Sequence, residues 1–244
     1  GAEPLPEVLE EETERGDMSV IGTSAGGEDI IAYHLGDGDT EILLVGGVHG
    51  GYSANTVSLM EELYSFYETG DIPSDVTLTI IDTLNPDSVG QSGLAGRLND
   101  NGVDLNRNFD CEWSATGVWR DQEVSGGSAA FSEPEAAALR DYVAEYQPDA
   151  AIVWFRAEGR VYPSACGGNP SAASMALAST FGTAAEYPVD EDEDFSAYTV
   201  TGDMVNWMAG EGIPAISVLL TDHQSSELSK NRAGIEAVLA AYSN

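Results

Sequence analysis

Basic residues are scarce in this chain: 9 Lys plus Arg stand against 42 Asp plus Glu in 244 residues, a formal net charge of −33. A surface that negative repels nucleic-acid phosphates and anionic headgroups, so neither nucleic acid nor membrane is an expected partner. Lysine is almost missing, Lys230 standing alone, so whatever binds anions here must use the arginines. The excess of acid over base suits a solvated surface in high salt, and a monomer is expected. No run of about 18 apolar residues occurs, so no segment is expected to cross a bilayer as a helix. The first sixteen residues are acidic, with Pro4 and Pro6 around Leu5, and lack the basic and apolar regions of a signal peptide. They read as an acidic N-terminal tail (1–16) ahead of one domain (17–244). No internal repeat is visible, and the run Asp190 to Asp194 reads as a solvated loop, because it lacks the spacing and glycine turn of a calcium loop.

What is present is enough apolar residue for one sizeable core, 42% of the chain. Glu41 to Val48 reads as a buried strand closed by glycines, followed by a helix over Asn55 to Tyr67 and a strand over Val76 to Ile81. Ser132 is a predicted N-cap with Glu135 three residues on, opening a helix that continues through Ala136 to Tyr146. Ala150 to Phe155 and Ile213 to Leu220 are further predicted strands; Ser171 to Phe181 and Asn231 to Tyr242 are predicted helices. This alternation implies an α/β fold with a mainly parallel sheet covered on both faces. Ligands of such sheets sit beyond the carboxyl ends of strands. The candidate site therefore comprises the segments His49 to Ser53, Asn85 to Asp110, Phe155 to Pro163 and Leu219 to His223, and the long stretch Leu84 to Ser128 reads as functional loop.

The most specific segment is Gly102-Val103-Asp104-Leu105-Asn106-Arg107-Asn108-Phe109, with Arg97 upstream. It is joined by Gly-Gly-Val-His-Gly-Gly at 46–51, Ser-Glu-Pro-Glu at 132–135, Val161-Tyr162-Pro163-Ser164, and Tyr198 followed by Gly202 and Trp207. In order and spacing these motifs resemble the zinc carboxypeptidases, over about Ser19 to Ala241. The resemblance implies a single domain with a mixed, eight-stranded sheet between helices. It also implies a zinc held by His, Glu and a later His, a Glu general base, an oxyanion-stabilising Arg, and an Asn-Arg pair that clamps the substrate's terminal carboxylate.

Carried onto this chain, that pattern divides in two. His49 matches the first zinc ligand. Tyr52 and Ser53 stand where the glutamate ligand belongs, Phe155-Arg156 where the second histidine belongs, and Leu219 where the base belongs. A single imidazole holds zinc weakly, a guanidinium repels it, and leucine cannot take a proton from water. No cofactor is therefore expected, although the family uses zinc; replacement ligands from Glu158, Asp222 and His223 echo no known spacing. The carboxylate-recognising half is kept: Arg97 at the oxyanion position, Asn106 and Arg107 at the clamp, and Tyr198 at the mobile tyrosine. Val205 matches the side-chain pocket. Planar guanidinium forks suit carboxylates, so a peptide C-terminus or a small carboxylate is the expected partner; the competing reading has Arg97 and Arg107 paired with Asp100, Asp104 or Asp110 to stiffen the loop.

Cys111 and Cys166 flank segments of the same cleft, which favours one disulfide and an oxidising, secreted or extracytoplasmic setting. His34 reads as a surface or satisfied strand histidine and His223 as a loop residue. Trp113, Trp119, Trp154 and Trp207 read as packing. Ser53 has no orienting third group and does not read as a nucleophile. Three functions compete: a non-catalytic carboxypeptidase-like protein that binds carboxylates, an active metallocarboxypeptidase with an atypical metal site, and a scaffold that binds nothing.

Overall fold

A computed structural model describes residues 15–191 and 200–243. Its strands are β1 (Met18–Thr23), β2 (Asp29–Leu35), β3 (Thr40–Val45), β4 (Val76–Ile81), β5 (Thr116–Trp119), β6 (Gln122–Ser125), β7 (Ala150–Arg156), β8 (Arg160–Pro163) and β9 (Ala215–Leu220). Its helices are α1 (Ala54–Tyr67), α2 (Pro134–Tyr146), α3 (Ala172–Ala185), α4 (Met204–Gly210) and α5 (Leu228–Tyr242). Arg15, assigned to the tail by sequence, belongs to the folded body: its guanidinium donates to both Glu41 oxygens, at 2.5 and 2.8 Å.

Seven strands form the main sheet in the order β1-β2-β4-β3-β7-β9-β8, and β5 and β6 pair in a separate ribbon. The eight strands implied by the resemblance are thus seven among the described residues. The four central strands, β4, β3, β7 and β9, run parallel, and β1, β2 and β8 add antiparallel edges.

Side chains alternate across the central strands, and that alternation divides the core. Ile42, Leu44, Ile152, Trp154, Ile216 and Val218 pack on α1, α3 and α5 through Leu59, Leu63, Phe181 and Ile235. Leu43, Val45, Ala151, Val153 and Ala215 face the other way, onto α2 and α4 through Leu139, Tyr142, Met204 and Met208. Trp154 and Trp207 are accordingly packing residues. His34 is a satisfied strand histidine, bonded to Ser19 Oγ at 2.8 Å and Thr79 Oγ1 at 3.1 Å.

The predicted capping box at Ser132 does not form. Proline lacks an N–H and has its φ preset for the first helical position, so Pro134 opens α2 and leaves Glu133, extended at φ −88° and ψ 137°, as the cap residue. The freed carboxylates brace the long loop: Glu133 accepts from Asn99 Nδ2 at 2.8 Å and Asn101 Nδ2 at 2.9 Å, and Glu135 accepts from Asn99 Nδ2 at 3.1 Å.

A domain carrying a net charge of −33 repels itself. Added salt shortens the screening length from about 8 Å at physiological strength to about 3 Å at 1 M. The midpoint of thermal unfolding is expected to rise from low to molar sodium chloride; a flat or falling midpoint would mean that local ion pairs outweigh the global repulsion.

Candidate functional site

Three central strands end at one cavity of about 100 Å³. The turn after β3 supplies His49 and Tyr52, β7 ends in Phe155 and Arg156, β9 contributes Ser217 and Leu219, and the long loop brings Arg97, Asn106 and Arg107. The β3 turn is compact because glycine allows it: a Cβ on Gly50 would meet Asn85 O at 2.3 Å, and one on Gly51 would meet Ser88 O at 2.2 Å.

Asp104, fully buried, organises the floor. Its Oδ1 accepts from His49 Nε2 at 2.9 Å and from the Asn106 amide at 3.1 Å, and its Oδ2 accepts from Arg97 Nε at 2.7 Å. Burial alone would raise this carboxyl, but Arg97, His49 and Arg107 together hold it well below the usual carboxylate range. An ionised carboxylate only accepts, so it fixes the proton of His49 on Nε2 and leaves Nδ1 as the lone-pair nitrogen. Of the competing ion pairs foreseen for Arg97, the one with Asp104 forms. It uses Nε only; the two Nη groups make no hydrogen bond among the described residues.

Burial first, then the Arg97 charge, lowers the His49 pKa to about 4, and burial with Arg15 lowers that of His34 to about 4. Both imidazoles are neutral in the fold, whereas the unfolded chain protonates its histidines near pH 6.5. Folding stability due to the neutral rings is therefore fully present above about pH 6.5 and lost as pH falls through 4. An NMR titration is expected to give both rings midpoints near 4; a midpoint near 6.5 for His49 would contradict its neutral pairing with Asp104.

Arg107 is buried at the cavity wall, its Nη1 donating to Asn106 O at 2.8 Å and its Nη2 to Val118 O at 3.0 Å. Gly202 presses on its backbone: a Cβ there would meet Arg107 O at 2.2 Å, and φ is +65°. Asn106 Nδ2 donates to Asp203 Oδ2 at 2.8 Å, while Asn106 Oδ1 accepts from the Met204 amide at 3.2 Å, tying the clamp to the start of α4. Burial raises the pKa of Asp203, against the bonds from Asn206 and Asn106. Val205 lies in the core at 1% exposure, and its neighbours Asp203 and Asn206 line the cavity in its stead. Tyr198 lies outside the described residues.

The zinc implied by the resemblance would need ligands from these donors. Catalytic zinc needs three protein ligands around an open position. Among the described residues no group of three or more His, Cys, Asp or Glu side chains could hold an ion; Asp203 is the one carboxylate lining the cavity with His49, and Tyr52, Phe155, Arg156 and Leu219 supply no further zinc ligand. The Arg156 guanidinium lies 3.9 Å from the Tyr52 ring centroid. Ser53 Oγ is buried without a hydrogen-bond partner. Glu158 accepts from Tyr162 Oη at 2.6 Å, and Asp222 accepts from the amides of Gln224 and Ser225 at 2.7 and 2.8 Å. This donor set does not fit a zinc ion.

Sequence reasoning missed Arg120 of the β5–β6 ribbon; Trp119 beside it is the packing residue expected, buried with Tyr52 and Val124. Trp119 meets Tyr52 edge-on at 5.0 Å and lies 5.1 Å under the Arg97 guanidinium, and Arg120 Nη2 donates to Tyr52 Oη at 3.2 Å. No motif marks Arg120. The disulfide was found: Cys111 and Cys166 are bonded, with Cα atoms 5.6 Å apart.

The sequence model of the zinc carboxypeptidase family matches residues 5–227. No curated protein sequence matches the chain. Among solved structures, the murein-tripeptide amidase MpaA of Escherichia coli O157 is similar at 21% identity and a TM-score of 0.72, with 92% of each chain covered. Carboxypeptidase A of Helicoverpa armigera is similar at 18% identity and 0.69, covering 92% of this chain and 68% of that one. Bovine thrombin-activatable fibrinolysis inhibitor is similar at 17% and 0.71, covering 92% and 87%.

Proposed function

The chain belongs to the zinc carboxypeptidase family, and from that premise we propose that it is a non-catalytic member, a protein that binds a peptide C-terminus or small carboxylate without cleaving it. The observation that carries this reading is a cavity lined by Arg97, Asn106 and Arg107 in a chain of 42 acidic residues. Arg97 offers its Nη groups, and Arg107 and Asn106 form the clamp. Charge-assisted bonds contribute about 1.5–3 kcal/mol each, so two or three of them support weak to moderate affinity. Phe155, Leu219 and Pro163 give the cavity apolar wall for the terminal side chain.

Water activation is the missing half. Leu219 stands where the family's base belongs and cannot accept a proton, and Arg156 adds a permanent positive charge to the cavity that His49 lines. The Cys111–Cys166 bond supports an oxidising, extracytoplasmic compartment.

One observation favours a second reading. The neutral His49, with its proton held on Nε2 by Asp104, keeps an Nδ1 lone pair of the kind a metal takes. On that reading the protein is a metal-dependent peptidase or amidase, amidase and carboxypeptidase being the names of two of its structural neighbours. Metal analysis beside product analysis separates the two. After dialysis against a weak chelator, the expected result is well under a tenth of an equivalent of zinc and no release of the terminal residue on long incubation. About one equivalent of retained zinc, with release that scales with protein and stops on chelation, would establish the second reading.

A further inference from the structure

The nine basic residues are not partnered evenly. Arg15, Arg97, Arg140, Arg160, Lys230 and Arg232 each hold a carboxylate, and Arg107 is anchored by backbone carbonyls. Arg120 and Arg156 have no ion pair among the described residues, although acids outnumber bases 42 to 9. Both sit on Tyr52. Arg156 lies 3.9 Å from its ring centroid, and Arg120 bonds its hydroxyl at 3.2 Å while lying 5.1 Å from the Trp119 ring centroid.

Two like charges gathered on one tyrosine repel each other, and a cation–π contact contributes only about 0.5–1 kcal/mol at an exposed site. A ring contact or a single hydroxyl neutralises neither charge, and a guanidinium carries five N–H donors, so both arginines keep donors for an anion. Arg156 Nε is buried without a hydrogen-bond partner. His223, its ring 6.3 Å from that of Tyr52, adds a third donor at the rim. Burial, then Arg156 and Arg120, pulls the His223 pKa down against the neighbouring Asp222.

We propose that Arg120 and Arg156, with His223 at the rim, form a second anion site that binds a second carboxylate of the ligand. The occupant is then a dicarboxylate: a peptide C-terminus whose terminal carboxylate meets Asn106 and Arg107 and whose acidic side chain meets Arg120 and Arg156. This rests on the carboxylate-binding reading above. It also assigns Arg156 a task in place of the metal ligand that stands there in the family, since the guanidinium supplies positive charge without a metal.

Calorimetric titration of the whole chain with N-acetyl-Glu-Leu, N-acetyl-Gln-Leu and N-acetyl-Glu-leucinamide, in one buffer, tests it. The Glu peptide is expected to bind at least tenfold more tightly than the Gln peptide. In the Arg120→Gln/Arg156→Gln variant that ratio is expected to fall below about twofold. The ratio between peptides separates loss of the second site from a general loss of affinity; if the double variant does not fold, the exposed Arg120→Gln alone is expected to cut the ratio about threefold. Equal affinity for Glu and Gln peptides in the unmodified protein, or a ratio that survives in the variants, would overturn the second site. In that case Glu-Leu binding more tightly than Glu-leucinamide leaves the terminal clamp standing, and equal affinity for those two overturns the underlying reading as well.

Discussion

Replacing Asp104 by alanine is expected to destabilise the protein by about 3–5 kcal/mol, because it strands a buried charge. Arg97 is 5% exposed and Asp104 is fully buried, and Asp104 is the carboxylate with which Arg97 pairs. The same substitution leaves His49 Nε2 and the Asn106 amide without their acceptor, so three donors lose one partner together. Asp104→Asn keeps the shape and one acceptor oxygen but not the charge, and a smaller loss is expected. The pH dependence has a definite sign. Asp104 is held well below its unfolded value, so its contribution is present above the ordinary carboxylate range near pH 4 and is lost as pH falls below it. Urea unfolding at pH 7 and at pH 3 should show the gap between the parent and Asp104→Ala narrowing in acid. A cost within 1 kcal/mol of zero at pH 7 would mean that water reaches Arg97 and the floor is not sealed.

Loss of the disulfide is expected to cost about 4 kcal/mol, the chain-entropy value for a loop of this span. Cys111 and Cys166 are 55 residues apart and join the loop that follows the Asn-Arg clamp to the turn after β8. The bond also buttresses the clamp, because the Cys111 carbonyl accepts from the Gly202 amide at 2.8 Å, and Gly202 packs against the Arg107 backbone. The Cys111→Ser/Cys166→Ser variant should therefore unfold at markedly lower denaturant and hold carboxylates more weakly. Two free thiols in the denatured, unreduced protein would contradict the bond itself.

The central strands were legible because they are continuous apolar runs buried on both faces. Val76–Ile81 was read at its observed limits, and β3, β7 and β9 were read within a few residues of theirs. The edges were not. β1 has no buried residue, only Ser19, Ile21 and Gly22 half-buried without regular alternation, which gives too weak a pattern to separate strand from loop, and β5, β6 and β8 are four residues each. Ser132 carried an N-cap signal that a proline two positions on overrode.

At the site, residues with a motif were legible and residues placed only by tertiary packing were not. Asn106 and Arg107, which line the cavity, were placed near it from the segment around them. Asp104 appeared only as one of several possible ion-pair partners, and its hold on His49 spans 55 positions of sequence. Arg120 reaches Tyr52 across 68 positions, and nothing local to either residue points to the other. Val205 shows the opposite error: helical geometry turned it into the core, and the neighbouring Asp203 and Asn206 took the cavity.

The most direct test of carboxylate recognition without metal chemistry is calorimetric titration with a short peptide ending in an apolar residue, beside the same peptide amidated at its C-terminus, both with chelator present. The expected result is at least tenfold tighter binding of the free acid, unchanged by the chelator and abolished in Arg107→Ala. Equal affinity for acid and amide, or binding of the acid that disappears when chelator is added, would contradict it.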